Sequence, residues 1–408
     1  MPRVLRIINR FNLGGPTHNA AYLTRYLPSD FETLLVGGGQ EAGEEDSQHI
    51  LRSLGVEATI LPEMQREVAP WNDRGAYHRI KQLIREFKPD IVHTHAAKAG
   101  AVGRMAAADM GVKVIVHTFH GHVFHSYFGK LRTTLYKNIE RFLARRSSRI
   151  IAISERQRCE LVEEHRICSP EKVAVIPLGF DLNRFQQDMA AKRALFRHVY
   201  NLTDDEVAIG IVGRLVPVKN HDLFLETLAR VAGQSGRRVR AFIVGDGEER
   251  SRLEAKAGAM GLETVAGPYF NGHGFGHGMG AGHPFKRATL TFTSWIKEID
   301  IVYAGLDVVV LTSLNEGTPV SLIEAQAAGK PIVSTNVGGI ENVVLPDTTA
   351  CLRASGDVDG LATDLHRLVE SNSLRQAMGA PGWDHVRDRY HFTRLVDETA
   401  RLYQSLLT

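Results

Sequence analysis

Two doubly wound, Rossmann-like α/β domains facing a central cleft are what this sequence of 408 residues predicts. Three observations carry that expectation. Short β-branched runs alternate with amphipathic helical stretches. The alternation breaks once, after Phe185, and restarts. Each half has its own glycine-rich strand-to-helix turn. The strands read as continuous apolar runs, so both their faces are buried and the sheets are parallel. The length suffices for two cores, and one large mixed sheet would leave the break unexplained.

In the first half, strands are expected over 4–8, 33–36, 91–95, 114–118, 150–153 and 173–176, with helices over 19–26, 75–87, 99–110 and 131–145 between them. Pro177-Leu178-Gly179 and the charged stretch after Phe185 mark a boundary, which puts the domains at 1–183 and 184–390. The second half then runs strand 208–212, helix 222–231, strand 241–244 and helix 249–260. Strands 289–292 and 308–311, a helix opening at Pro319 and strand 332–334 follow. Helices over 358–370 and 393–407 close the chain.

The composition, 43% hydrophobic and 23% charged, is that of an ordinary soluble globular protein. No apolar run reaches the ~18 residues of a membrane span, and the first strand begins with no leader-like n-region, h-region and cleavage site before it. Cys159, Cys168 and Cys351 are few, odd in number and outside metal-ligand spacing, which fits reduced thiols in a cytoplasmic protein. A net charge of +3 is too small to argue for a nucleic-acid partner.

The segment Asn315-Glu316-Gly317-Thr318-Pro319-Val320-Ser321-Leu322-Ile323-Glu324 places two carboxylates eight residues apart across a loop-to-helix junction. Thr318 is expected to cap the helix and Pro319 to fill its first turn, where a missing amide proton costs nothing. The free amides near 317–320 would then favour an anion. Two turns of helix would let both acids face one ligand. A nucleotide sugar has the matching hydroxyls, diphosphate and ribose diol; a capped helix with two solvated glutamates fits this segment alone equally well. In Gly213-Arg214-Leu215-Val216-Pro217-Val218-Lys219-Asn220, two cations follow a buried strand at the edge where α/β sheets bind ligands. A planar fork and a point charge suit a diphosphate, against two solvated loop cations. Gly14-Gly15-Pro16-Thr17 lacks the dinucleotide fingerprint and serves as well for a tight turn as for a binding loop.

Together these motifs resemble the retaining glycosyltransferases of family 4 (glycosyl transferases group 1), which have the GT-B fold. The matching pieces are Gly14-Gly15, His120-Gly121, Gly213-Arg214 with Lys219, Gly245-Asp246-Gly247, Glu316 through Glu324, and Val337-Gly338-Gly339-Ile340, in the family's order and near its spacing. The resemblance implies transfer of a hexose or N-acetylhexosamine from a nucleotide sugar, UDP-linked by default, to a glycan or lipid-linked acceptor. No cofactor and no bound metal are implied. Arg214 and Lys219 would neutralise the diphosphate and the leaving nucleotide. Glu316 would hold sugar hydroxyls, aided by the amides near Gly317 and Thr318, with Pro319 and Val320 also lining the donor site, and Glu324 would hold the ribose diol. Gly15 and Gly245 would line the donor site, and His120 would contact the sugar near the reacting centre. The first domain would take the acceptor and be joined by the C-terminal helix 391–408, and the second would bind the donor. His93, His95, His117, His122 and His125 are expected to be structural or acceptor-side, not a zinc cluster.

Three departures from the family stand out. Leu178 follows Pro177 where asparagine is usual. Ser294 stands where glycine is frequent. A Gly/His-rich insertion spans about 264–287, where His273, His277 and His283 leave open a mobile loop or an adventitious metal site. A basic segment, 127–149, interleaves Lys130, Arg132, Lys137, Arg141, Arg145, Arg146 and Arg149 with apolar residues. It fits an anionic membrane surface or a solvated helix alike, and lipid-linked acceptors tilt the reading toward peripheral contact at the inner face. The rival functions are a nucleotide-sugar epimerase of the same architecture and a catalytically silent nucleotide-sugar-binding module. The absence of G-x-G-x-x-G after the first strand counts against a nicotinamide oxidoreductase.

Overall fold

The computed structural model describes residues 1–11, 15–39, 48–65, 69–120, 130–266, 270–271, 274–275 and 288–408. They form two units, Met1–Asp181 with Arg389–Thr408, and Leu182–Asp388.

The sheet of the first unit comprises β1 (Arg3–Arg10), β2 (Glu32–Gly38), β3 (Ala58–Ile60), β4 (Ile91–His95), β5 (Val114–Phe119), β6 (Arg149–Ala152) and β7 (Val173–Val175). All pairings are parallel, in the order β3-β2-β1-β4-β5-β6-β7. β4 and β5 are buried along their whole length, including the polar residues His93, Thr94, His95, His117 and Thr118. The short β3 is only partly buried, too brief for any periodicity to show. Strand order reverses between β1 and β4, so the first switch point lies where those strands end. Leu395, Val396, Ala400 and Tyr403 of the C-terminal helix Phe392–Leu407 pack against Val4, Leu23, Ile91 and Val116.

At Pro177-Leu178-Gly179, Leu178 is buried, and Asn19 supplies the polar contact. Its Nδ2 donates to the carbonyls of Gly15 (2.9 Å) and Gly179 (3.4 Å), and the Gly179 amide donates back to Asn19 Oδ1 (3.1 Å). The charged stretch after Phe185 is helical. It holds the helix Met189–Val199, whose Phe196 lies against Gly305, where an added Cβ would come within 2.1 Å of the ring. The charges that hide this helix in the sequence are satisfied locally: Lys192 pairs with Asp300, and Arg193 and Arg197 with Asp307.

The second sheet comprises β8 (Val207–Val212), β9 (Val239–Val244), β10 (Glu263–Ala266), β13 (Ala288–Ser294), β14 (Val308–Leu311), β15 (Ile332–Thr335) and β16 (Ala350–Arg353); β11 (Phe270–Asn271) and β12 (Gly274–Phe275) form a separate antiparallel ribbon. The order is β10-β13-β9-β8-β14-β15-β16, all parallel. Residues 264–266, expected in the insertion, belong instead to β10. The glycine-rich segment lies between β10 and β13 in sequence. Its histidines, His273, His277 and His283, lie outside the described residues, as do Gly14, Gly121, His122 and His125.

Candidate functional site

The second switch point falls between β8 and β14, and the motifs singled out above flank it. After β8 the chain folds back over the end of β14. The Leu314 amide donates to the Val218 carbonyl (2.8 Å), and Thr312 Oγ1 donates to the carbonyls of Lys219 (3.2 Å) and Asn220 (2.9 Å). This lacing brings Lys219 Nζ to Glu316 Oε1 at 2.5 Å, and Ser313 Oγ donates to the same oxygen at 2.6 Å. Glu316 is buried at 9% exposure, where a carboxylate needs such partners. Arg214 is exposed, with no ion pair among the described residues.

Two glycine loops fix this arrangement. Gly245, at φ 139°, passes so close to the first loop that a Cβ would stand 2.0 Å from the Gly213 carbonyl oxygen. Gly338, at φ 57°, leaves the same 2.0 Å to the Glu316 carbonyl oxygen, which accepts from the Gly339 amide at 2.9 Å. Only glycine permits both the dihedral and the approach. The Gly-Gly pair after β15 is therefore a clamp on the backbone that carries Glu316.

The helix begins one residue later than expected. It runs Val320–Ala327 with Pro319 as its N-cap, whose carbonyl accepts from Leu322 and Ile323, and Thr318 makes no cap. A proline biases the residue before it away from helical angles, which keeps Thr318 outside. The amides of Gly317, Thr318 and Val320 make no hydrogen bond among the described residues, so the anion-friendly terminus stands. Glu324 lies only about one turn inside the helix, with Glu316 in the loop before it, so two turns of helix do not separate the two acids. Glu316 is held by Lys219, while Glu324 sits beside Tyr303 and is influenced by Arg184 and Asp300. Burial lifts the Glu324 pKa from 4.5 to about 7, and the Arg184 charge and the Tyr303 hydroxyl offset only part of that.

Ser294, the departure from glycine, has a left-handed φ of 64°. Its Oγ donates to Asp246 Oδ2 at 2.6 Å and its carbonyl accepts from the Gly245 amide at 3.1 Å, so hydrogen bonds sustain a dihedral that glycine would adopt freely. Asp246 is buried enough to favour its neutral form, yet bonds from Ser294, Gly247 and Arg250 hold its pKa below the ordinary value.

In the first unit, Gly15 opens the helix Gly15–Tyr26, and His120 follows β5. His95, the last residue of β4, brings Nδ1 to 2.9 Å from His120 Nε2. His93 bonds Tyr403 Oη (2.6 Å) through Nδ1 and Thr118 Oγ1 (2.7 Å) through Nε2, and His117 Nδ1 lies 2.8 Å from Thr94 Oγ1. His93 and His117 thus have the internal bonding expected of structural histidines. Burial drives the pKa of His93, His95 and His117 well below 6.5 and that of His120 to about 4, so all four are neutral near pH 7. No group of three or more metal-ligating side chains occurs among the described residues.

Sequence reasoning missed Tyr303, Arg184 and Asn19, which act through partners distant in the chain, and Ser313, which bonds Glu316 three residues on. His95 was legible as a strand-end residue at a switch point but was set aside with its neighbours.

The fold and these motifs define a class, the GT-B glycosyltransferases. The first unit carries a family 4-type domain: residues 13–184 match the model described as Glycosyltransferase Family 4, and 192–266 and 279–371 match models described as Glycosyl transferases group 1. The UDP-Gal:alpha-D-GlcNAc-diphosphoundecaprenol alpha-1,3-galactosyltransferase of Escherichia coli is 29% identical over 350 residues, 85% of this chain and 84% of its own. The capsular polysaccharide biosynthesis glycosyltransferase CapM of Staphylococcus aureus is 23% identical over 373 residues, 88% of this chain and 90% of its own. Among solved structures, Anabaena HepE in complex with UDP-glucose matches with a TM-score of 0.78 at 19% identity, over 99% of this chain and 100% of that one. That likeness speaks to the fold.

Proposed function

We propose that this glycosyltransferase moves a hexose or N-acetylhexosamine from a UDP-linked sugar to a glycan or lipid-linked acceptor, with retention of configuration and without a bound metal. The observation that carries the reading is the Lys219–Glu316 pair beside the unpaired amides of Gly317, Thr318 and Val320 at the second switch point. The UDP-sugar donor and diphosphoundecaprenol-linked acceptor in the Escherichia coli relative's name support the substrate classes. The names of the relatives described above favour transfer over epimerisation or a silent module.

In this reading Lys219 and Arg214 take up the charge that grows on the leaving diphosphate, the task a metal ion performs elsewhere. Donor binding frees Glu316 from Lys219 to accept from sugar hydroxyls. Ionised Glu324 accepts from the ribose diol, Gly245 and the amides of Gly317, Thr318 and Val320, beside Pro319, line the donor site, and Gly15 and His120 of the first unit meet the donor. No side chain is assigned as a covalent nucleophile. The acceptor attacks on the face from which nucleotide leaves, the leaving phosphate oxygen takes its proton, and rate comes from positioning and electrostatics. The anomeric configuration of the product, read by NMR after reaction in a chelator, tests this: a retained anomer is expected, and an inverted one or full loss of activity would refute it.

Peripheral membrane contact at the cytoplasmic face is part of the proposal. Leu135, Ile139 and Phe142 of the helix Lys130–Arg146 are 59%, 38% and 44% exposed, at helical spacing, with the Arg146 guanidinium 3.7 Å from the Phe142 ring centre. Cations beside an exposed apolar stripe suit anionic headgroups. No helix among the described residues is long and apolar enough to cross a membrane. Co-flotation with anionic but not zwitterionic vesicles at low salt is expected; equal recovery with both would count against it.

A further inference from the structure

We propose that His95 is a positioning residue that sets the tautomer of His120, so that His120 presents Nδ1–H as a hydrogen-bond donor. The inference rests on the reading that His120 meets the donor sugar, and the ligand atom it addresses is a hydroxyl or ring oxygen acting as acceptor. His95 Nδ1 and His120 Nε2 stand 2.9 Å apart, so one proton lies between them. Neither remaining nitrogen, His95 Nε2 or His120 Nδ1, has a partner among the described residues.

Neutrality makes the two rings interdependent, because each neutral imidazole has one N–H. Burial favours the neutral form of both. Arg6 reinforces this for His95. Its guanidinium is fully buried, donates to Thr24 Oγ1 (2.8 Å) and Tyr403 Oη (3.3 Å), and has no carboxylate partner among the described residues. His93 cannot relieve His95, because both its nitrogens are already engaged, by Tyr403 and Thr118.

Two arrangements remain. If His120 donates through Nε2, His95 must hold its proton on Nε2, an orphaned N–H on a residue only 1% exposed. If His95 donates through Nδ1, its Nε2 is a bare lone pair and the unpaired N–H moves to Nδ1 of His120, a partly buried residue just past the strand end. A buried N–H without an acceptor is rarer and costlier than an unfilled lone pair. The second arrangement places that N–H on His120, the less buried residue of the two and the one assigned to the donor; in the ligand-free chain its Nδ1 is itself covered. The backbone supports a fixed His95: Ala96, next in sequence, has φ 69° and ψ 162°, a region almost confined to glycine and sustained only where surroundings over-determine it.

The test is ¹⁵N-histidine NMR of the full chain at pH 7.5, with the His120 signals assigned by their loss in His120→Asn. His120 is expected to be protonated on Nδ1. His95→Phe should give a mixture of tautomers and lower kcat about tenfold, the worth of one hydrogen bond made in the transition state, with donor KM little changed. His95→Asn, whose amide can donate in place of Nδ1–H, should restore both. His120 protonated on Nε2 in the wild type, or a tautomer unmoved by His95→Phe, would overturn the proposal. A tautomer that shifts while turnover does not would uphold the coupling and overturn the assignment of His120 to the sugar, so the two failures are distinguishable.

Discussion

Replacing Glu324 with glutamine should make the ligand-free protein more stable at alkaline pH and poorer at binding nucleotide. Burial raises the Glu324 pKa from 4.5 to about 7. A carboxyl pKa raised on folding means that the native state resists ionisation. Its stabilising effect is fully present below pH 4.5 and is lost as pH rises through about 7. The elevation corresponds to about 3 kcal/mol at pH 8; because solvent reaches part of the side chain, about 2 kcal/mol is the expected effect. Glutamine keeps the shape and never ionises. Glu324→Gln should therefore match the wild type near pH 5 and melt roughly 4–8 °C higher at pH 8. The same substitution removes a charged acceptor for the ribose diol, a loss of about 1.5–3 kcal/mol, so UDP affinity should fall at least tenfold. Melting curves from pH 5 to 8.5, with UDP titrations at each pH, read both effects. A melting difference independent of pH, or a less stable variant at pH 8, would refute the buried-carboxylate reasoning. Unchanged UDP affinity would refute the ribose assignment.

Further predictions follow from neighbouring geometry. Lys219→Ala should lower kcat by about 10²-fold while changing donor affinity less, because the charge it meets grows in the transition state; equal loss in both, measured by single-turnover kinetics and calorimetry, would place it in ground-state binding. Gly338→Ala, with its Cβ 2.0 Å from the Glu316 carbonyl oxygen at φ 57°, should cost about 2 kcal/mol or more in urea unfolding and reduce turnover with it. Asn19→Ala removes both of its links to Gly179 and should cost about 2 kcal/mol; no change in the unfolding midpoint would contradict its role. Ser294→Val, a β-branched residue forced to φ 64° without the bond to Asp246, should destabilise by about 2 kcal/mol, whereas Ser294→Gly should be nearly neutral.

The sheets were readable because their strands are continuous apolar runs, and the donor-site loops because glycines and paired charges punctuate strand ends. What escaped was set by tertiary contact. The helix Met189–Val199 hides behind cations whose partners, Asp300 and Asp307, lie about a hundred residues on. Residues 264–266 read as insertion because only their pairing with β13 makes them a strand. The spacing of Glu316 and Glu324 suggested one helical face, but the proline that identifies the junction also delays the helix to Val320. Ser294 marked a departure from glycine, and only its dihedral shows that the backbone kept the glycine conformation.

The central claim is that the Lys219–Glu316 site turns over a nucleotide sugar. The direct measurement is a panel of nucleotide sugars incubated with the wild type and with Lys219→Ala, with released nucleotide and remaining donor resolved by mass spectrometry. Slow release of UDP from one donor by the wild type, in the absence of added metal and much reduced in the variant, is the predicted result. Conversion of a donor to an isomer without nucleotide release, or equal release by both proteins, would contradict it.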